Sequence, residues 1–258
     1  MASRAILVVP FAECGAFTEG RTPAEEGVQI AEAADHPFSR VMAYWGAGLH
    51  ALHQGDLPQA IAVLARALDL AHGAHIQLLV PWVAAPLGAA YALVGRTADA
   101  LPLLEQAVVQ AVAMGFMLHH TLRVVWLSEA YLLAGRLDEA GTQARRALEF
   151  SQAHQERGHE AYALWLLGEI AARQKPVEPE QAAAHYRQAL ALAEELGMRP
   201  LQAHCHRGLG TLYSQVGRAQ QARASLGTAI ELYRTMEMTF WLPQTEAALA
   251  QTGRGYKR

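Results

Sequence analysis

Apolar and polar positions along the chain recur with a helical period. In the segment 135–148, GRLDEAGTQARRAL, Ala140 and Ala147 stand seven residues apart behind a Gly-Arg turn, with polar and charged positions between them. Seven residues is two helical turns, so the two alanines share one face and a helix starting near Leu137 is predicted. The same phrase returns as GRTADALPLLEQAV at 95–108 and as GDLPQAIAVLARAL at 55–68. Turn glycines stand at Gly15, Gly55, Gly95, Gly135 and Gly217; the first three intervals are 40 residues and the last, 82, spans two units. The unit hidden in that interval has a longer connector, RQKPVEPEQ at 173–181, whose two prolines extend the turn.

Small residues fix the register. Ala60, Ala100, Ala140, Ala182 and Ala222 follow the turns, and Ala67, Ala107, Ala147, Ala189 and Ala229 lie seven further on. Gly48, Gly88, Ser128, Gly168 and Gly210 precede the turns on the helix before. Each unit therefore reads as a pair of helices shaved down where they meet. The predicted fold is all-α: a right-handed α-solenoid of about six helical hairpins with a period of 40–42 residues, closed by a C-terminal capping helix. The units fall at about 1–40, 41–80, 81–120, 121–160, 161–202 and 203–238, with the capping helix at 239–251 and a frayed tail at 252–258. The first unit fits least well. Val8 replaces its small residue, Gly20 and Gly27 replace its alanines, and Pro10 lies inside its first helix, where proline costs about 3 kcal/mol. Arrays carry polar caps at their ends, so this face is expected to pack on another subunit or on a repeat beyond the chain given.

Composition narrows the partners. The chain of 258 residues is 52% hydrophobic and 17% charged with a formal net charge of -3, which lacks the basic footprint of a nucleic-acid binder. No apolar run reaches 18 residues, so no membrane span is expected. Cys14 and Cys205 lie at opposite ends, which does not make a disulfide framework and suits a cytoplasmic setting. The opening MASRAILVVPFAECGAF has the outline of a secretory leader, but Pro10 and Glu13 interrupt it.

Chemistry-bearing motifs are sparse. GAGLHA at 46–51 matches a dinucleotide-binding fingerprint, yet it sits inside an alanine-rich helical stretch, where that fingerprint requires a strand before it. No Gly-Lys dipeptide exists for a phosphate loop, and no G-x-S-x-G for a nucleophile elbow. The twelve histidines include His50 and His53, His119 and His120, and His204 and His206 around Cys205, but no H-E-x-x-H or C-x-x-C. Surface and helix-end histidines fit better than a metal site of three or four converging ligands. Neither metal, cofactor nor catalysis is expected.

The sequence of an apolar or aromatic residue, Leu-Gly, Tyr, a turn glycine and two alanines, carried by LWLLGEIA, APLGAAYALVG and HRGLGTLYSQVG, resembles the tetratricopeptide repeat over about residues 3–238. That repeat is about 34 residues long; the surplus here falls at the end of the second helix, as in ALAEELGMRP. EQAAAHYRQALALAEELGMRPLQAHCHRGLGTLY, AIELYRTMEMTFWLP and DHPFSRVMAYWGAG also resemble the C-terminal solenoid of large bacterial signalling regulators. Those regulators carry a nucleotide-cyclase domain and an AAA-type ATPase upstream. The resemblance implies a regulatory, non-catalytic module with such an upstream cyclase or ATPase domain as one candidate partner.

The resemblance also implies a site. First helices line the concave wall of a tetratricopeptide array, and places two, five, nine and twelve of those helices face the ligand. Trp45 and Trp165 occupy place five and Trp82 place two, while Leu49, Leu52, Ala89, Glu129, Leu132 and Glu169 fall on the same stripe. Trp126 sits one place off, toward the core. Two readings stay open. The rings anchor an amphipathic helix or extended peptide in a groove, or they pack between hairpins as core. In the last full unit the stripe turns polar, with His204, Arg207, Thr211 and Ser214, which suits a ligand with an acidic terminus. The set of lysines and asparagines with which the family's best-known clamp holds a peptide carboxylate is missing. The expected function is a scaffold binding a protein or peptide; the alternative is a solenoid that senses a sugar or metabolite.

Overall fold

The computed structural model describes residues 2–252, all of whose regular elements are helical. The chain runs through α1 (Ala2–Cys14), α2 (Phe17–Ala33), α3 (Pro37–Gln54), α4 (Leu57–Gly73), a 3-10 turn at Gln77–Leu79, α5 (Val80–Leu93) and α6 (Thr97–Ala113). It continues through α7 (His120–Leu133), α8 (Leu137–Ala153), α9 (Arg157–Ala171), α10 (Pro179–Glu195), α11 (Arg199–Gln215), α12 (Ala219–Thr235) and α13 (Leu242–Thr252). The all-α hairpin fold expected from the repeat is the fold observed. The closing helix includes Thr252, and the remaining tail residues, 253–258, lie outside the described part. No helix among the described residues is long and apolar enough to cross a membrane.

Contacts divide the chain into two units, Met1–Ala140 and Gly141–Arg258, with the division inside α8. In the first, α3 pairs with α4 and α5 with α6, while α5 also touches α4, α3 and α7. In the second, α9 pairs with α10 and α11 with α12, while α11 also touches α10, α9 and α13. A first helix thus meets its own partner, the partner before it, and its neighbouring first helices. Burial follows: every residue of α3 from Val41 to Leu52 except Ala47 is buried, whereas α4 buries only one stripe, Leu57, Ala60, Leu64, Ala67 and Ala71.

The small residues do what their spacing predicts. A Cβ placed on Gly48 would lie 2.5 Å from Leu64 Cγ, on Gly88 2.6 Å from Leu104 Cγ, and on Gly210 2.6 Å from Leu226 Cγ. Leucine on the second helix is the knob and glycine on the first is the hole. In the fourth hairpin Ser128 takes the glycine's place and donates its hydroxyl to Ala140 O at 2.7 Å. In the fifth, Gly168 faces Tyr186, whose ring stands where the leucines stand.

The turns obey a second rule. Gly55 has φ 88° and closes α3 with its own N–H on Leu52 O, while the next residue, Asp56, donates back to Ala51 O at 2.9 Å. Arg96 donates to Tyr91 O, Arg136 to Tyr131 O and Arg218 to Tyr213 O in the same way. At the opposite end of each hairpin stands another positive φ: Asp35, His75, Gly115, Gln155, Gly197 and Glu237. Four of these six positions are not glycine, which hides this beat from a search for glycine.

Candidate functional site

Two groups of aromatic rings form along the first helices, one in each unit. In the first, Trp45 on α3 meets Trp82 on α5 edge-on at 5.2 Å, and Trp82 meets Phe116 at 5.1 Å and His119 at 5.7 Å. In the second, Trp165 on α9 lies 5.6 Å from His204 on α11, which lies 4.8 Å from Trp241 at the entry to α13. His204 Nδ1 is also 2.7 Å from the Tyr233 hydroxyl. Trp45 is 3% exposed and Trp165 6%. These two rings are wall material, held by their neighbours, and Leu49, Leu52, Ala89 and Leu132 are buried with them. Neighbouring first helices approach so closely that this part of the expected stripe is covered. Trp82, Trp126 and Glu129 are half-buried.

The structure opens the stripe at another place. α9, α11 and α13 border a cleft of about 400 Å³ whose lining includes Glu169, Arg173, Arg207, Thr211, Gln244 and Gln251. Of the residues expected at a site, it brings together Glu169, Arg207 and Thr211. Arg173 and the glutamines were not expected: Gln244 and Gln251 stand on α13, which reaches this place only by folding, whereas Arg173 and Gln215 lie four residues beyond Glu169 and Thr211, one turn past the places counted on the stripe.

Glu169 organises the cleft. Its carboxylate accepts from Arg173 Nη1 at 2.7 Å and from the Tyr186 hydroxyl at 2.8 Å. Arg173 Nη1 also bonds Glu169 O at 2.9 Å. Burial pushes the Glu169 carboxyl upward, but the charges of Arg207 and Arg173 and the two hydrogen bonds outweigh it and hold it below the usual 4.5. The Tyr186 hydroxyl moves up, through burial first and the Glu169 charge second. The glycine at 168 makes this possible: the Tyr186 ring fits where a Cβ would come within 2.8 Å of it. The cleft therefore carries two guanidinium groups against one carboxylate, and side-chain amides from Gln215, Gln244 and Gln251, each with a donor and an acceptor. Among the described residues no three histidines, cysteines or carboxylates gather as metal ligands.

Comparison with known proteins agrees with the hairpin geometry. Sequence models described as "Tetratricopeptide repeat" match residues 25–75, 81–106 with 124–146, and 178–235, together more than half of the chain. The chain is a tetratricopeptide-repeat protein. Among solved structures it is similar to NprR in complex with its cognate peptide NprX, at 12% identity and a TM-score of 0.76 over 99% of this chain and 73% of that one. It is similar to a Rap protein complexed with competence and sporulation factor, at 13% identity and a TM-score of 0.73 over 90% and 67%. It also resembles BtubC from P. vanneervenii, at 20% identity and a TM-score of 0.58 over 86% and 92%. At these identities the likeness is one of fold. No curated protein sequence matches the chain.

Proposed function

We propose that the chain is a non-catalytic protein-interaction scaffold that takes an extended peptide segment along the first-helix face. The polar cleft between α9, α11 and α13 is its gripping point. The observation that carries this reading is the lining, which gathers two arginines, a carboxylate partnered by Arg173 and Tyr186, and three glutamines in one cleft. Glutamine amides match the donor and acceptor of a peptide bond, and arginine pairs with a carboxylate or carbonyl of the segment. The buried tryptophans set the spacing of the helices that shape this face. Two structures of similar fold, NprR with its cognate peptide NprX and a Rap protein with competence and sporulation factor, are complexes, which favours a peptide here. The resemblance of 180–213 and 229–243 to cyclase- and ATPase-bearing regulators supports reading the scaffold as the regulatory module of a bacterial signalling protein.

The experiment is a peptide selection from a displayed library on the full chain, followed by anisotropy titration of the enriched peptides. Arg207→Ala combined with Gln244→Ala should weaken them about tenfold or more, the loss of one or two charge-assisted or neutral hydrogen bonds. Enriched peptides that bind the double variant as well as the parent refute the cleft as the grip.

A further inference from the structure

We propose that a second cleft, between α2 and α4 over α3, is a binding site for a small phenolic amine. It lies on the second-helix side of the first unit and does not depend on the peptide reading. Its volume is about 680 Å³, within the range of small-molecule sites of roughly 300–1,000 Å³.

The repeat explains why this cleft is open. Four residues before the turn glycine stand Tyr91, Tyr131 and Tyr213, and one residue after it stand Arg96, Arg136 and Arg218. In each case the guanidinium lies over the tyrosine ring, at 4.0, 4.5 and 5.9 Å from its centroid. The Tyr131 hydroxyl donates to Glu105 on the preceding second helix at 2.6 Å, and Arg187 of α10, at the position equivalent to Glu105, donates to the hydroxyl of Tyr213 in the sixth hairpin at 2.9 Å. In the fourth and sixth hairpins phenol and cation together plug the groove between successive second helices.

In the second hairpin the plug is missing. Ala51 stands where the tyrosines stand, and Asp56 where the arginines stand. Glu25, at the position equivalent to Glu105, is retained, and Glu25, Ala51 and Asp56 all line the cleft. The acceptor for a phenol is present without the phenol, and the cation's place is held by an anion. Tyr44 closes one end, its hydroxyl on Glu32 and Arg66 stacked 4.7 Å over its ring, so Arg66 is already engaged. Arg21 is the other cation on the lining. The floor carries no fixed charge: His50 Nε2 is bonded to Phe17 O at 3.0 Å, and burial holds the ring's pKa below its ordinary value. Ala24, Val28, Ala47 and Val63 supply the apolar walls. A ligand that repeats the plug has a phenol whose O–H donates to Glu25, a flat ring between α2 and α4, and an ammonium group against Asp56.

The test is calorimetric or NMR titration of the full chain with tyramine, phenethylamine, 4-ethylphenol and 3-(4-hydroxyphenyl)propionate. Tyramine should saturate below about 10 mM, and bind about fivefold or more tighter than the two compounds lacking one group, with the acid weakest. Ala51→Tyr refills the groove and should abolish binding. Glu25→Gln, at an exposed position, should weaken tyramine and 4-ethylphenol while sparing phenethylamine. Asp56→Asn keeps a good helix cap and should erase the preference of tyramine over 4-ethylphenol, so the exposed substitutions decide the matter even if Ala51→Tyr does not fold. Absence of saturation, tyramine binding indifferent to Ala51→Tyr, or affinities indifferent to Glu25 and Asp56, each overturns the site.

Discussion

Replacing Gly88 with alanine tests the packing rule on which the fold rests. A Cβ there would stand 2.6 Å from Leu104 Cγ and 3.2 Å from both of its terminal methyls. Carbon atoms in contact prefer about 3.5–4.0 Å, so the leucine's branch point must retreat by about 1 Å. Leu104 is completely buried and has little room. Overpacking of this kind costs about 1–3 kcal/mol. Alanine returns up to about 1 kcal/mol over glycine in a helix interior, which leaves a net loss of about 1 kcal/mol. Leu104→Ala alone removes the knob and should cost about 2–5 kcal/mol. In that background the clash is gone, and Gly88→Ala should now stabilise by about 1 kcal/mol through helix propensity and partial filling of the void. The sign of one substitution therefore inverts with its partner. Urea unfolding followed by circular dichroism measures all four proteins, with equal m values as the check that one transition is being compared. If Gly88→Ala has the same effect in both backgrounds, the two residues are uncoupled and the knob-and-hole account of the repeat is wrong.

Further expectations concern charge and aromatic packing. Glu169 has its folded pKa below the unfolded 4.5, so its contribution is complete above that value and is lost as pH falls through the folded pKa. The melting temperature of Glu169→Gln should accordingly lie below the parent's at pH 7, and the gap should narrow as pH falls below 4.5; a pH-independent gap refutes the carboxylate's role. Arg123, 1% exposed, bonds Phe116 O at 2.8 Å, its Nε has no partner, and no carboxylate among the described residues offsets the burial that lowers its pKa to about 10. Arg123→Met should raise the free energy of urea unfolding at pH 7 by about 1 kcal/mol. Trp45→Ala should cost about 3–5 kcal/mol as a core truncation, read by thermal melting; a cost below 1 kcal/mol would return the ring to the groove.

Much of the fold is legible in the sequence because the repeat makes the chain state its rules several times over. Glycine at 48, 88, 168 and 210 and alanine seven apart on the next helix mark both faces of each hairpin. The tyrosine and arginine that flank the turn glycine are equally periodic, yet their meaning depends on which second helix the ring reaches, and that is not a property of one hairpin. The site was less legible. Glu169, Arg207 and Thr211 lie on the expected stripe and meet in one cleft, whereas Trp45 and Trp165 lie on it and are buried. Periodicity reports which face of a helix a residue occupies. It does not report whether the neighbouring helix covers that face.

The sequence alone determined the all-helical class, the hairpin and its register, since these follow from spacing along a helix and from the conformations glycine permits at the turns. Only the tertiary structure decided which parts of the first-helix stripe are open and that α13 supplies glutamines to a cleft begun by α9 and α11. It also decided that the alanine at 51 leaves a groove unfilled beside a retained carboxylate. Those outcomes depend on how near successive helices come and on which side chain fills the gap between them, a balance of volumes among residues some 25 to 80 positions apart in the chain.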